Sequence, residues 1–389
     1  MREVKVLVSR TQFFGWAFHR TAVTSGKGCW EINHKHRKNI HIWVKYESPT
    51  CNVKVMETAV GIWGYTWPYQ PYIGQYGGPN FNNIGIGFNW TNSIDSKTFR
   101  NWAAATANNS VFEFQNYAAA NGLPNPPGNL KILITPWGQD NTGATPMLDK
   151  SFLSSYILGA STTAIFAGGL GATGPVGVVG GISLSLWLTI AAPDIVLNLN
   201  ESNNVNADDF RELAYHELAH SQHFTQVNNQ YWLDNIEYTI SEFGYGDGTH
   251  FGGGRCSVIE SWGWHIGRIA AHGRYGISNS NIGDPAFNTW RRRLEGDFAW
   301  TLSPTGLAHI PWGWEWDIQD NNATNPSNEA ESGLVGVGDA VSGITEAQIF
   351  STMTSSMQSM PQMKAALLPL LPPTVTTAQY NTLSGAYGF

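Results

Sequence analysis

The chain has 389 residues, a net charge of -7 and only 13% charged residues, about half the share usual in folded soluble proteins. That balance excludes a protein that holds nucleic acid through a general basic surface. The 42% apolar content, with no long block of like charge, excludes a disordered acidic chain.

Residues 1–60 read as strands. Val4, Val6 and Val8 recur at every second position, as do Ile40, Ile42 and Val44, which is the period of a half-buried strand. Thr24-Ser25-Gly26-Lys27-Gly28 is a turn signal, Cys29-Trp30-Glu31-Ile32 a short strand, and Val53-Lys54-Val55 continues the pattern. The expectation is a small β-sandwich module over residues 1–60, followed by an aromatic and glycine-rich linker over 61–95. Residues 97–121 carry an apolar stripe that predicts a helix, and Pro124 to Gly128 breaks it. Leu130-Lys131-Ile132-Leu133-Ile134 is a strand suited to the sheet of an α/β lobe.

Residues 151–193 hold no charged residue, and a run of that length invites a transmembrane reading. Its many glycines and Pro175 interrupt it, so the expectation is a buried helix, a glycine-rich loop and a strand, with no integral membrane span. The loop lacks the Gly-Lys-Ser/Thr ending of a phosphate cradle. Pro193 to Leu199 is a further strand of the same sheet, and Asn206 or Asp208 can cap the helix that follows, to about Val227. A glycine-rich loop over 244–254 precedes a second helix from about Cys256 through Ile269. Helical patterns close the chain near 345–369 and 376–386, with Thr345 as a candidate N-cap. Residues 96–389 thus read as one domain, and the fold class as α+β.

The chemistry lies in His216-Glu217-Leu218-Ala219-His220, a complete HExxH motif. Residues four apart on a helix point the same way, so both imidazoles can reach one ion at about 2 Å. Glu217, one position on, is left beside the ion to take a proton from water. Two structural histidines on a core helix would give the same pattern, but a preceding strand and a distant carboxylate support the metal site. The long-spaced arrangement with a third histidine fails, because His223 and Gln226 stand where Gly and His are required. Glu260 is the chosen third ligand: an isolated carboxylate in a largely apolar helix is expensive to bury without a partner. His223, on roughly the same face as the motif histidines, is its rival. Asp234 and Glu237 are weaker ones.

The expected reaction is hydrolysis assisted by Zn²⁺, with Glu217 as general base. The oxyanion needs a donor, and the candidates are His265, Tyr231, Tyr245, His250 and Tyr275, with His265 preferred for its nearness to Glu260. Asp194 and Asp208 are candidate partners for the ligand histidines.

With these residues in place, the chain resembles the gluzincin type of zinc metallopeptidase, which takes two histidines from the motif and a glutamate from a following helix. It is more closely similar to a family of secreted or surface lipoproteins of Bacteroidetes. In these a small β-sandwich module precedes a zincin-like domain. The matching features are Thr21-Ala22-Val23-Thr24 with Trp30-Glu31-Ile32, Tyr215 to His223, Val258-Ile259-Glu260-Ser261-Trp262-Gly263, and Ser342 to Phe350. The resemblance implies a cell-surface or extracellular location, a protein or peptide substrate, and a lipid anchor carried by the full-length precursor.

Residues 1–8 show no secretory leader pattern, so the expectation is either a cytoplasmic protein or a mature form whose leader has been removed. Low charge with abundant Asn, Ser, Thr and aromatics favours export. Cys29, Cys51 and Cys256 are too few and scattered for a disulfide scaffold. A competing reading is a non-catalytic glycan- or protein-binding surface protein that keeps the motif for a structural or relic metal, with the aromatics of 61–76 for sugar stacking.

Overall fold

A computed structural model describes residues 1–12, 15–34, 36, 39–56, 69–77, 84–88, 96–135, 142–151, 192–199, 207–242, 244–275, 309–319 and 341–389. The uncharged run, save for its ends, and the aromatics of 61–68 lie outside them. The described chain is α+β, with two four-stranded sheets. It forms two compact units: one takes Met1–Glu113 and most of the chain from Pro127 to Ala214, the other Tyr215–Phe389 and Phe114–Pro126.

The first unit holds both sheets. Strands β1 (Lys5–Gln12), β2 (Gly15–Val23), β3 (Ile40–Lys45), β4 (Cys51–Val55) and β5 (Tyr72–Tyr76) come in chain order. One antiparallel sheet runs β2-β1-β3-β5. Its register sets Val8 opposite Ile42 and Val6 opposite Val44. Val6, Val8, Ile40 and Ile42 therefore share one buried face, covered by Trp30, Ile32, Ile73 and Tyr76, as the period-two spacing requires.

The other sheet adds β6 (Leu130–Thr135), β7 (Thr142–Ala144) and β8 (Ile195–Asn198) in the order β4-β6-β8-β7. Strands β4, β6 and β8 are parallel and β7 is an antiparallel edge. This is the mixed sheet expected ahead of the motif helix. The strand pairing differs from the expected β-sandwich over 1–60 and linker over 61–95. Ser48 Oγ accepts from the backbone N–H groups of Thr50 and Cys51, both at 3.1 Å, and that turn sends β4 away to pair with β6. The physical reason is two-sided burial: Cys51, Val53, Lys54 and Val55 are all buried, which suits a parallel strand covered on both faces. The vacated sheet edge is taken by β5, from the stretch expected to be linker.

The helices are α1 (Lys97–Ala120), α2 (Ala207–Phe224), α3 (Asn229–Ser241), α4 (Gly253–Tyr275), α5 (Trp312–Asp317), α6 (Glu346–Thr352), α7 (Met360–Leu367) and α8 (Thr377–Ala386). Of these, α3 and α5 had no sequence expectation. The N-cap of α3 is Asn228, whose side chain accepts from the Tyr231 N–H at 2.8 Å. The helical stretch expected over 345–369 is broken into α6 and α7. Ser359 caps the second helix and Pro361 stands in its first turn, where its missing N–H costs nothing. Thr345 and Thr376 each form a full capping box, with Gln348 and Gln379. Among the described residues no helix is long and apolar enough to cross a membrane.

Candidate metal centre

The second unit carries every ligand of the candidate centre. Helix α2 begins with Asp208 and Asp209 in its first turn, where carboxylates favour the positive end of the helix dipole. Leu218 and Ala219 are buried within the motif, so the helix is packed on all sides there. His216, Glu217 and His220 are only 5%, 2% and 4% exposed. Buried imidazoles and a buried carboxylate require partners.

Helix α4 supplies one. Oε2 of Glu260 lies 3.4 Å from Nε2 of His216 and 3.4 Å from Nε2 of His220. The two Nε2 atoms are 2.9 Å apart. Ligands bound at 2.0–2.1 Å around a tetrahedral zinc stand about 3.3 Å from one another, so two of the three edges already have that length. A proton shared between the imidazoles would account for the shorter third edge. It would not serve Glu260 Oε2, which is buried and has no hydrogen-bond partner. A cation bound to all three atoms satisfies each of them. His216, His220 and Glu260 form a three-residue buried group able to hold a metal ion.

The charges agree with this arrangement. Burial works to raise the Glu260 carboxyl, but His220 and His216 overcome it and hold the group well below the usual carboxylate range. Burial likewise opposes a charged His220, while Glu260 and Glu217 raise its pKa. Glu217 Oε1 is 3.9 Å from His216 Nε2, close to the cluster without belonging to it.

Gly263 brings α4 this close. A Cβ at that position would lie 2.5 Å from Cε1 of His220 and 2.9 Å from Cε1 of His216, so any side chain would displace the imidazoles. Position 263 is three residues after Glu260, on the same helix face. Trp264 stands edge-on to His216 with ring centroids 4.9 Å apart, and Trp232 to His220 at 6.4 Å. These rings wall the site in apolar surface. None of the three was singled out from the sequence. A glycine inside a helix costs about 1 kcal/mol relative to alanine, and that cost was the signal available at 263.

Tyr245 reaches the site from the glycine-rich loop. Burial, and then the nearby Glu260 and Glu217 carboxylates, raise its pKa well above the usual value. Among the candidate oxyanion donors with described side chains, it is the one placed near Glu260.

The preference for His265 is corrected. Five residues on from Glu260, it lies about 140° around the helix. It is fully buried, with Nε2 2.7 Å from Gln319 Nε2, and burial, with Arg268 nearby, lowers its pKa to about 3. Tyr231 donates its hydroxyl to the Met357 carbonyl at 2.8 Å. His250 is exposed and paired with Glu242 at 3.0 Å. Tyr275 ends α4, and its side chain lies outside the described residues.

The rival ligands fall away too. His223 Nε2 is 3.1 Å from the Met353 carbonyl, and burial, then His220, lowers its pKa to about 3. Seven residues from His216, it is about 10 Å further along the axis. Asp234 is paired with Arg255 at 3.2 Å, and Glu237 is exposed. Asp194, expected beside the histidines, is instead buried in the first unit, where it accepts from the Lys131 N–H at 3.0 Å and pairs with Lys150 at 3.4 Å. Asp208 is exposed at the start of α2, about two turns ahead of His216.

Compared with known proteins, the chain matches no family model, no curated protein and no solved structure.

Proposed function

We propose that this chain is a zinc-dependent peptidase of the gluzincin kind, with a zincin-like domain built around α2 and α4, acting on protein or peptide substrates outside the cell or at its surface. The observation that carries the reading is the convergence of His216, His220 and Oε2 of Glu260, which has no hydrogen-bond partner, with Glu217 buried beside them and outside the ligand group. A purely structural site has no need of that fourth group.

Zinc held there would polarise a scissile carbonyl and lower the pKa of a water molecule. Glu217 takes the proton of the attacking water on its carboxylate and delivers it to the departing amine. The hydroxyl of Tyr245, whose pKa the Glu260 and Glu217 carboxylates raise, serves the developing oxyanion. Trp264 and Trp232 exclude bulk water from the histidines, which strengthens each of these interactions. An extracellular location and a lipid-anchored precursor belong to the same proposal. They rest on composition and on resemblance to secreted lipoproteins.

The alternative, a non-catalytic glycan- or protein-binding role, draws on Tyr72, which is 40% exposed and lies with its ring 5.0 Å from that of Trp43. Glu217 has no part in that role. The deciding experiment measures zinc content and cleavage of a broad peptide library for the wild type and Glu217→Gln. Both should bind about one zinc, and only the wild type should cleave. A wild type that binds zinc and cleaves nothing would overturn the peptidase reading.

A further inference from the structure

Several donors meet at one backbone atom of the loop that carries Tyr245. The carbonyl oxygen of Tyr245 accepts from Nε2 of His309 at 2.7 Å and from the hydroxyl of Tyr238 at 3.1 Å, with Sγ of Cys256 at 3.9 Å. A carbonyl only accepts, so the proton of the His309 ring sits on Nε2. The other ring nitrogen, Nδ1, lies 3.1 Å from Oγ of Ser257. Ser257 is on α4, three residues before Glu260 and on the same side of the helix.

His309 is 6% exposed and the loop closes over it. A Cβ at Gly248 would lie 2.5 Å from its Nδ1, and one at Gly246 would lie 2.5 Å from the Tyr238 hydroxyl. Both glycines have positive φ, +79° and +64°, so neither position accepts another residue without strain. The loop is therefore shaped to this contact.

We propose that His309 is a positioning residue for the metal centre. It ties the Tyr245 backbone to the helix that bears Glu260, and so keeps Tyr245 beside the Glu260 carboxylate. This rests on the metal site proposed above. It adds a residue 49 positions beyond Glu260 in the chain (309 minus 260) that touches no ligand and acts through Tyr245.

The test uses the full chain and zinc alone, with affinity read by competition against a chromophoric chelator, and the visible absorption of the cobalt form as a second signature. His309→Leu should weaken zinc about 10- to 100-fold, the range for losing an outer partner of a ligand, and should change the cobalt spectrum. His309→Gln, which keeps an N–H donor near the position of Nε2, should restore most of the affinity. Tyr245→Phe should weaken zinc to a similar degree, and adding His309→Leu to it should cost little more, since both act through one contact.

Additive losses, or an unchanged affinity in His309→Leu, would overturn the proposal. If His309→Leu does not fold, Ser257→Ala takes its place, with a several-fold loss expected alone and none in the Tyr245→Phe background; additivity there overturns the proposal equally. A wild type that fails to bind zinc would instead defeat the metal-site reading, so the two failures are separable.

Discussion

Gly263 and His220 meet so closely that the hydrogen on the Gly263 Cα is all the side chain the contact allows. A methyl group there would lie 2.5 Å from the imidazole, inside van der Waals contact. In an unconstrained helix, alanine would be the better residue by about 1 kcal/mol. Gly263→Ala should therefore separate folding from metal binding. The expected outcome is a helix content equal to the wild type's, with the stabilisation by zinc lost or strongly reduced. Thermal melts with and without zinc, beside far-UV circular dichroism, check this.

Glu260 is the carboxylate on which the proposed ligand set depends. Zinc that binds only the folded protein stabilises it by about 4 kcal/mol at a thousandfold excess over Kd. Glu260→Gln preserves shape but removes the anion, and zinc affinity should fall by more than about 100-fold, beyond the loss typical of an outer partner. Equilibrium dialysis should show this directly, and the melting temperature of the variant should no longer depend on zinc concentration.

Glu315 predicts a pH dependence away from the ligands. It is fully buried and accepts from the Ser261 hydroxyl at 2.7 Å. Burial raises its pKa to about 8, with the Ser261 hydrogen bond opposing the shift. The unfolded chain releases this proton near pH 4.3, so between that pH and about 8 the native state binds more protons than the unfolded one. Stability from this group is fully present below the unfolded pKa and declines as pH rises through the window. Glu315→Gln should be close to neutral at pH 4.5 and stabilising by about 1–3 kcal/mol at pH 8. Denaturant titrations of both proteins at the two pH values measure the difference.

Thr345 offers a local test. Its hydroxyl accepts from the Gln348 N–H at 3.2 Å while the Gln348 side chain accepts from the Thr345 N–H at 2.8 Å. Thr345→Ala removes half of the box and should cost about 1 kcal/mol, with zinc affinity unchanged. Urea unfolding and chelator competition together read both quantities.

Several features were legible in the sequence because they are local. The four-residue spacing of His216 and His220 places both rings on one helix face wherever that helix sits. The capping box at Thr345 needs only four consecutive positions. The period-two valines and isoleucines of β1 and β3 state which face is buried. Glu260 was legible for a different reason: a lone carboxylate among apolar helix residues carries a burial cost that demands a partner. The angular offset of His265 from Glu260 was legible too, once both stood on one helix.

Other features came from the tertiary structure alone. Pairing of β4 with β6 joins segments 79 positions apart at Cys51 and Leu130 (130 minus 51), and apolar runs that short do not name their partner. The choice of Tyr245 among the oxyanion candidates depends on the path of a glycine-rich loop, whose backbone is set by what packs against it, here Tyr238 and His309. The sequence thus determined which residues have the chemistry to hold a metal. The tertiary structure decided which of them meet, because convergence of separate helices and a loop is a property of packing, and no spacing along the chain encodes it.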